Sequence, residues 1–279
     1  MSMKLSCIKC TNNWLVFSSM PLIDFLAIPH VEYVLSLSGQ PLSRSLIKDI
    51  CVKFHSLQNL IWVSLINVNL NDSSFAELFD GLQHCQQLVQ LDLSRNRLAD
   101  GSMKLLSRML GPEFVLSDLN LRHNSISCVG VKRIAKELFR NETLENLDLS
   151  SNRCEDEGCR EIFHSLRLNK FLGSLNLSCN NISREAVPSL CSVLVENATL
   201  RNVDVSGNII GVGISDADFS DLTKAVERSE ITCDFANCGF SVTRLAEMNR
   251  RQSQFEHRTK IKMRPLSPYS RVHAFKALV

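Results

Sequence analysis

Aliphatic residues recur along the middle of the chain at a fixed interval of 28 residues. Further aliphatic residues follow three and five positions after each of them, as Leu91 and Leu93 follow Leu88. Alternation of this kind predicts a short β-strand with one buried face. An asparagine stands eight positions after each anchor except the first, where Val68 replaces it. The anchors are Leu60, Leu88, Leu116, Leu144, Leu172 and Leu200.

The second half of each repeat carries apolar residues at helical spacing, for example Val131, Ile134 and Leu138. One repeat therefore predicts a strand, a turn, a helix and a loop. Such a unit cannot bury its apolar face alone, so neighbouring units must stack and share a core. The asparagine side chains are expected to hydrogen-bond backbone groups where each strand ends.

The motif L-x-x-L-x-L-x-x-N-x-I, followed by a helix and repeated every 28 residues, resembles the ribonuclease-inhibitor type of leucine-rich repeat. The segments LENLDLSSNRCEDEG and LGSLNLSCNNIS carry the resemblance, which extends over residues 31–248. It implies an α/β solenoid in the form of a horseshoe. Parallel strands would line the concave face and helices the convex face.

Three segments are predicted: an N-terminal cap over residues 1–30, repeats over 31–248, about seven to eight in number, and a basic tail over 249–279. The repeat is interrupted after Val205 by two additional residues and resumes with Cys238 in the asparagine position. The tail has eight basic residues against the single acid Glu256, a net charge of +7. Its composition predicts disorder, and an acidic partner is the alternative role.

The chain as a whole has 31 basic and 29 acidic residues, so its charge gives no reason to expect a nucleic acid or a membrane as partner. Cys154, Cys159 and Cys233 stand in apolar positions of the repeat, which favours buried thiols in a reducing, cytoplasmic compartment. Cys7 and Cys10 lack a second pair at zinc-binding spacing. No metal or other cofactor is therefore expected.

In this repeat class, side chains two, four, six and seven positions after the anchor face the concave side. Val34 and Trp62 at plus two, with Ile66 at plus six, predict an apolar contact surface anchored by a tryptophan. The alternative is that the N-terminal cap covers them. The residues four positions after each anchor form the plus-four column, which is Ser36, Ser64, Asp92, Asn120, Asp148, Asn176, Asp204 and Asp234. One interpretation of this column is ordinary repeat consensus, and the other is an acidic stripe that binds a basic partner.

Arg95, Arg122 and His123 form the second departure from the consensus on the concave side. They come from adjacent repeats and are flanked by Asp92 and Asp118. One interpretation is recognition of a partner's carboxylate or phosphate by the guanidinium groups. The other is a solvated network of ion pairs within the chain.

The sequence contains no G-x-x-x-x-G-K, H-E-x-x-H or G-x-S-x-G motif. We therefore expect a non-enzymatic scaffold that binds a protein partner on its concave face or rim. The resemblance leaves two alternatives: a GTPase-activating protein similar to the Ran activator, with Arg95 or Arg122 stabilising charge, and a fragment of a NOD-like receptor sensor. Short proteins of this repeat class include cytoskeletal, centrosomal and ciliary ones. The partner and the oligomeric state stay open.

Overall fold

The computed structural model describes residues 14–17, 32–39, 41–57 and 59–256. In this part of the chain, short strands alternate with helices, with short 3-10 segments at Ser107–Leu110 and Arg184–Ala186. The strands are β1 (Trp14–Phe17), β2 (Glu32–Ser38), β3 (Leu60–Ile66), β4 (Gln90–Asp92), β5 (Asp118–Asn120), β6 (Asn146–Asp148), β7 (Ser174–Asn176), β8 (Asn202–Asp204) and β9 (Thr232–Asp234). The helices are α1 (Arg44–Ser56), α2 (Asp72–Leu82), α3 (Asp100–Leu106), α4 (Cys128–Leu138), α5 (Glu155–Leu166), α6 (Val187–Glu196), α7 (Asp216–Arg228) and α8 (Val242–Glu256).

The strands form one parallel sheet in chain order, from β1 to β9. Equivalent residues of successive repeats lie side by side: Leu91 pairs with Leu119, and Leu119 with Leu147. Between β8 and β9 the paired residues are Val203 and Cys233, so the two additional residues lie outside the sheet. The predicted α/β solenoid of stacked strand–helix coils is confirmed.

A continuous apolar core runs between the sheet and the helices from Leu35 to Met248. The anchor residues, such as Leu116 and Leu144, are fully buried, as are Ile134 and Leu138 of α4. Each coil contributes one apolar layer, and the coils on either side cover it. Stability therefore depends on stacking between neighbouring coils rather than on any single coil.

The predicted asparagine ladder joins each coil to the one before it. In Asn152, Nδ2 donates to the carbonyl oxygens of Leu121 (3.0 Å) and Leu149 (2.9 Å). Its Oδ1 accepts from the N–H of Ile126 (3.1 Å). Each such side chain provides hydrogen-bond partners for the backbone groups at the end of the strand, where the chain leaves the sheet. This stabilises the fold, because a buried carbonyl or N–H without a partner raises the free energy of the folded state.

Two further ladders, which the apolar pattern of the sequence does not predict, also join the coils. At the loop before each strand, Asn169 Nδ2 donates to Leu138 O (2.7 Å) and Asn141 O (2.9 Å), and Asn197 and Asn141 occupy the same position in neighbouring coils. At the start of the helices, Asp72 and its counterparts Asp100 and Asp156 accept hydrogen bonds from the next coil.

The carboxylate of Asp72 shows how strongly these contacts join the coils. Burial raises its pKa, but hydrogen bonds from the Ser102 hydroxyl and from the N–H groups of Ala99, Ser102 and Gly101 lower it by more. The net result is a pKa below the usual value of an aspartate. Its charge therefore stabilises the stack above the carboxyl pKa of the unfolded chain, and this contribution is lost as the pH falls.

The two ends of the solenoid differ from the predicted boundaries. Strand β1 pairs in parallel with β2, so the sheet extends into the predicted cap, whose other residues lie outside the described part of the chain. Residues 249–256, which the sequence predicts to be part of the tail, continue helix α8. The rest of the predicted tail lies outside the described residues.

Helix α8 continues past position 248 because it closes the end of the core. Met248 is buried, and Gln252 lies one helical turn further on. With its amide in the orientation that satisfies both groups, Gln252 donates to Cys233 O (3.1 Å) and accepts from Cys233 N (3.2 Å). The side chain thus takes the place of a further strand at the outer edge of β9.

The ladder predicts a large effect for a single amide. Asn152→Ala should lower the free energy of unfolding by about 2–4 kcal/mol, because it leaves several buried backbone groups without partners. Urea denaturation measures the change. Asn202→Ala, on the exposed surface of β8, is the matched control and should change the stability by less than about 0.5 kcal/mol. Equal midpoints for Asn152→Ala and the unaltered protein would contradict the proposed role of the ladder.

Candidate protein-binding surface

The concave face of the sheet contains a groove of about 240 Å³ that crosses strands β3 to β7. Trp62 stands at one end of this groove and Asn176 at the other. The polar side chains between them are Gln90, Asp92, Asp118, Asn120, Asn146, Asp148 and Ser174. We refer to these residues, from Trp62 to Asn176, as the groove.

The plus-four column has a structural role in every coil from β4 to β9. Oδ1 of Asp92 accepts from the N–H of Ser94 two residues later (2.9 Å). The same contact occurs at Asn120, Asp148, Asn176, Asp204 and Asp234. These side chains replace ladder hydrogen bonds where the strand turns, so their recurrence follows from the fold and does not by itself indicate a basic partner.

Lateral hydrogen bonds also hold the groove's side chains in place. Asn120 Nδ2 donates to Asp92 Oδ2 (3.0 Å), and Asn146 Nδ2 donates to Asp118 Oδ1 (2.9 Å). Carboxylates and amides thereby alternate between adjacent strands, which avoids like charges directly opposite each other. The groove is consequently a rigid polar surface with residual negative charge.

The predicted apolar surface is only partly available. Val34 is 1% exposed and forms a small cluster with Ile61 and Val89, so the prediction that it offers contact area is wrong. Ile61 and Val89 come from the coils of β3 and β4, and their side chains cover the concave end of β2. Trp62 packs against this cluster while remaining partly exposed, and Ile66 is also partly exposed.

Arg95, Arg122 and His123 are all exposed. The N–H of Arg95 donates to the carbonyl oxygen of Arg122 (2.8 Å), so their backbones are adjacent. Ion pairs in the described part of the chain involve neither arginine. The carboxylate of Asp92 bonds to Ser94 and Asn120 instead.

The plus-seven residues have a left-handed backbone that the sequence did not indicate. Arg95 has φ 58° and His123 has φ 57°. The column also includes Asn67, Ser151, Cys179, Gly207 and Asn237. This conformation allows the N–H of each residue to reach the plus-six carbonyl of the next coil. It costs a residue such as arginine about 1 kcal/mol, whereas asparagine and glycine adopt it more easily.

The cysteines of the described residues are free thiols. Cys154 and Cys159 are buried in the core, as predicted from their apolar positions. Burial also raises the pKa of the Cys85 thiol to about 12, so it is not a nucleophile although His84 precedes it. In the described part of the chain no cluster of three or more His, Cys, Asp or Glu side chains is arranged to hold a metal ion.

None of the described helices combines the length and apolar character needed to cross a membrane.

The comparison with family models agrees with this architecture. The family model described as "Leucine Rich repeat" matches residues 84–107, 140–163 and 168–191. No curated protein matches the sequence. The solved structure "Leiomodin-1 Actin-Binding Site 2 (ABS2)" aligns with a TM-score of 0.47 and 16% identity, over 64% of this chain and 97% of that one. The three matched segments are leucine-rich repeats, and the parallel sheet of stacked coils has the form of an α/β solenoid.

Proposed function

We propose that this protein is a non-enzymatic scaffold that binds a protein partner through the groove on its concave face. The observation that carries the proposal is the groove itself, an extended open surface whose polar side chains are already hydrogen-bonded to one another. A surface fixed before binding loses little conformational entropy when the partner arrives. Its open form suits a polypeptide segment better than a small molecule, which needs an enclosed pocket.

Trp62 is the proposed anchor of this interface. Its indole is supported from below by Val34, Ile61 and Val89, while part of it remains exposed at the end of the groove. Tryptophan on a rigid base is typical of residues that dominate binding energy. The burial of Val34 therefore strengthens the role of Trp62 even though Val34 itself makes no contact with a partner.

A cytoplasmic location is part of the proposal, supported by the many free thiols in the described residues. The narrower locations, at the cytoskeleton, the centrosome or the cilium, stay predictions from the resemblance. The NOD-like-receptor alternative also stays a prediction, because it concerns chain beyond the repeats.

The anchor role can be tested with the partner obtained by affinity purification from the native cell. Trp62→Ala should weaken binding of that partner by about 30-fold, corresponding to about 2 kcal/mol, while the melting temperature stays near that of the unaltered protein. Calorimetric titration and thermal denaturation measure the two quantities. Phe171→Ala is the control, because Phe171 is 45% exposed but lies outside the groove.

A lower melting temperature with unchanged affinity for Trp62→Ala would place Trp62 in the core and contradict the anchor role. Equal losses of affinity for Trp62→Ala and Phe171→Ala would show that the groove has no special part in binding.

The GTPase-activating alternative has a direct test as well. Arg95 and Arg122 are exposed and form no ion pair with another described residue, as expected of a charge-stabilising arginine, but both lie on ordinary turns of the repeat. We expect no acceleration when the purified protein is added to a panel of small GTPases and phosphate release is followed. Acceleration that disappears in Arg95→Ala or Arg122→Ala would replace the scaffold proposal with an enzymatic one.

A further inference from the structure

Exposed arginine and histidine side chains gather at the rim where strands β4, β5 and β6 end. They are Arg95 and Arg97 after β4, Arg122 and His123 after β5, and Arg153 after β6, and we call them the exit rim. Arg97 and Arg153 were not predicted from the sequence, because they stand nine positions after their anchors, outside the positions expected on the concave side. All five are exposed in the structure.

Backbone hydrogen bonds bring these residues close together. Arg95 N donates to Arg122 O (2.8 Å), and His123 N donates to Ser150 O (2.9 Å) in the coil of Arg153. The N–H of Arg153 in turn donates to Ile126 O (2.9 Å) in the coil of His123. Since neighbouring strands of a sheet are about 4.8 Å apart, the exit rim presents its charges over a distance of about 10 Å.

Two acidic side chains near the exit rim are held by hydrogen bonds from backbone and hydroxyl groups. Asp100 accepts from Ser127 N (2.9 Å), Gly130 N (3.0 Å) and Ser127 Oγ (2.6 Å). Asp72 is held in the same manner by the coil of β4. The four arginines of the exit rim make no ion pair with another described residue, so their guanidinium groups are available to a partner.

We propose that the exit rim binds an acidic, extended segment of a partner protein. The forked guanidinium groups of Arg95 and Arg122 suit carboxylates of aspartate or glutamate side chains. The carboxylates of Asp92, Asp118 and Asp148 repel such a segment from the adjacent groove and keep it on the rim. This site is distinct from the groove anchored by Trp62, so it stands or falls separately from the proposed function.

The test uses the full chain and a fluorescein-labelled, end-blocked peptide of twelve alternating glutamate and serine residues. Fluorescence anisotropy at low salt should detect binding that weakens as salt is added. The variant Arg95→Asn/Arg97→Gln/Arg122→Gln/Arg153→Gln should bind at least about tenfold more weakly, because each exposed contact contributes modestly and four are removed. The matched control is Lys104→Gln/Arg133→Gln/Lys136→Gln/Arg140→Gln. It removes the same number of positive charges from exposed positions elsewhere in the coils of β4 and β5. Its affinity for the peptide should stay within about twofold of that of the unaltered protein.

The substitution Arg95→Asn places a residue with a better left-handed preference at that position, so the rim variant should melt no lower than the control. Trp62→Ala should bind the peptide normally, since it lies outside the exit rim. The proposal is overturned if both quadruple variants lose affinity equally, if Trp62→Ala abolishes peptide binding, or if a peptide of alternating glutamine and serine binds as well. It is also overturned if single-stranded oligothymidylate of matched charge binds more tightly than the acidic peptide, because the partner would then be a nucleic acid.

Discussion

Hydrogen bonds between equivalent residues of neighbouring coils are the interaction on which the rest of this structure depends. A strand of three residues and a helix of about ten have no independent stability in water. Stacking gives each coil an apolar layer to share, and the side chains of Asn152, Asn169 and Asp100 satisfy the backbone groups that the sheet and helices leave open. Three ladders, at the end of the strand, at the loop and at the start of the helix, therefore hold one register throughout.

The same constraint determines what the concave face can offer to a partner. Asp92, Asp148 and Asp204 hold the turns after their strands, so their charges are a consequence of the fold. Features that the ladders do not require are more informative about function. The apolar base under Trp62 and the exposed side chain of Arg95 are the clearest of these. They occupy neighbouring parts of one face and have different chemistry, which is what a scaffold with a specific partner needs.

Much of the fold could be predicted from the sequence because identical spacing in successive coils has one physical explanation. The strand positions of Leu91 and Leu119 and the contacts of Asn152 follow from the 28-residue step. The loop asparagines, such as Asn169, have the same step but lie outside the apolar pattern, so they were overlooked. The extent of α8 could not be predicted, since Gln252 acts through a backbone contact at the edge of the sheet that no repeat position indicates.

The candidate site was less predictable than the fold. The burial of Val34 depends on its contacts with Ile61 and Val89. Both residues stand one position after an anchor, where the repeat does not determine in which direction the side chain points. The left-handed backbone at Arg95 and His123 could not be predicted either, because residues of several types occupy the same position in other coils.

Binding of the partner through the groove can be tested by footprinting the complex with a carbene reagent that labels exposed side chains, using the purified native partner. We expect Trp62 and the neighbouring side chains of the groove to lose labelling when the partner binds. Loss of labelling at Phe139, Leu168 and Phe171, with Trp62 unchanged, would contradict it, because these exposed residues lie outside the groove.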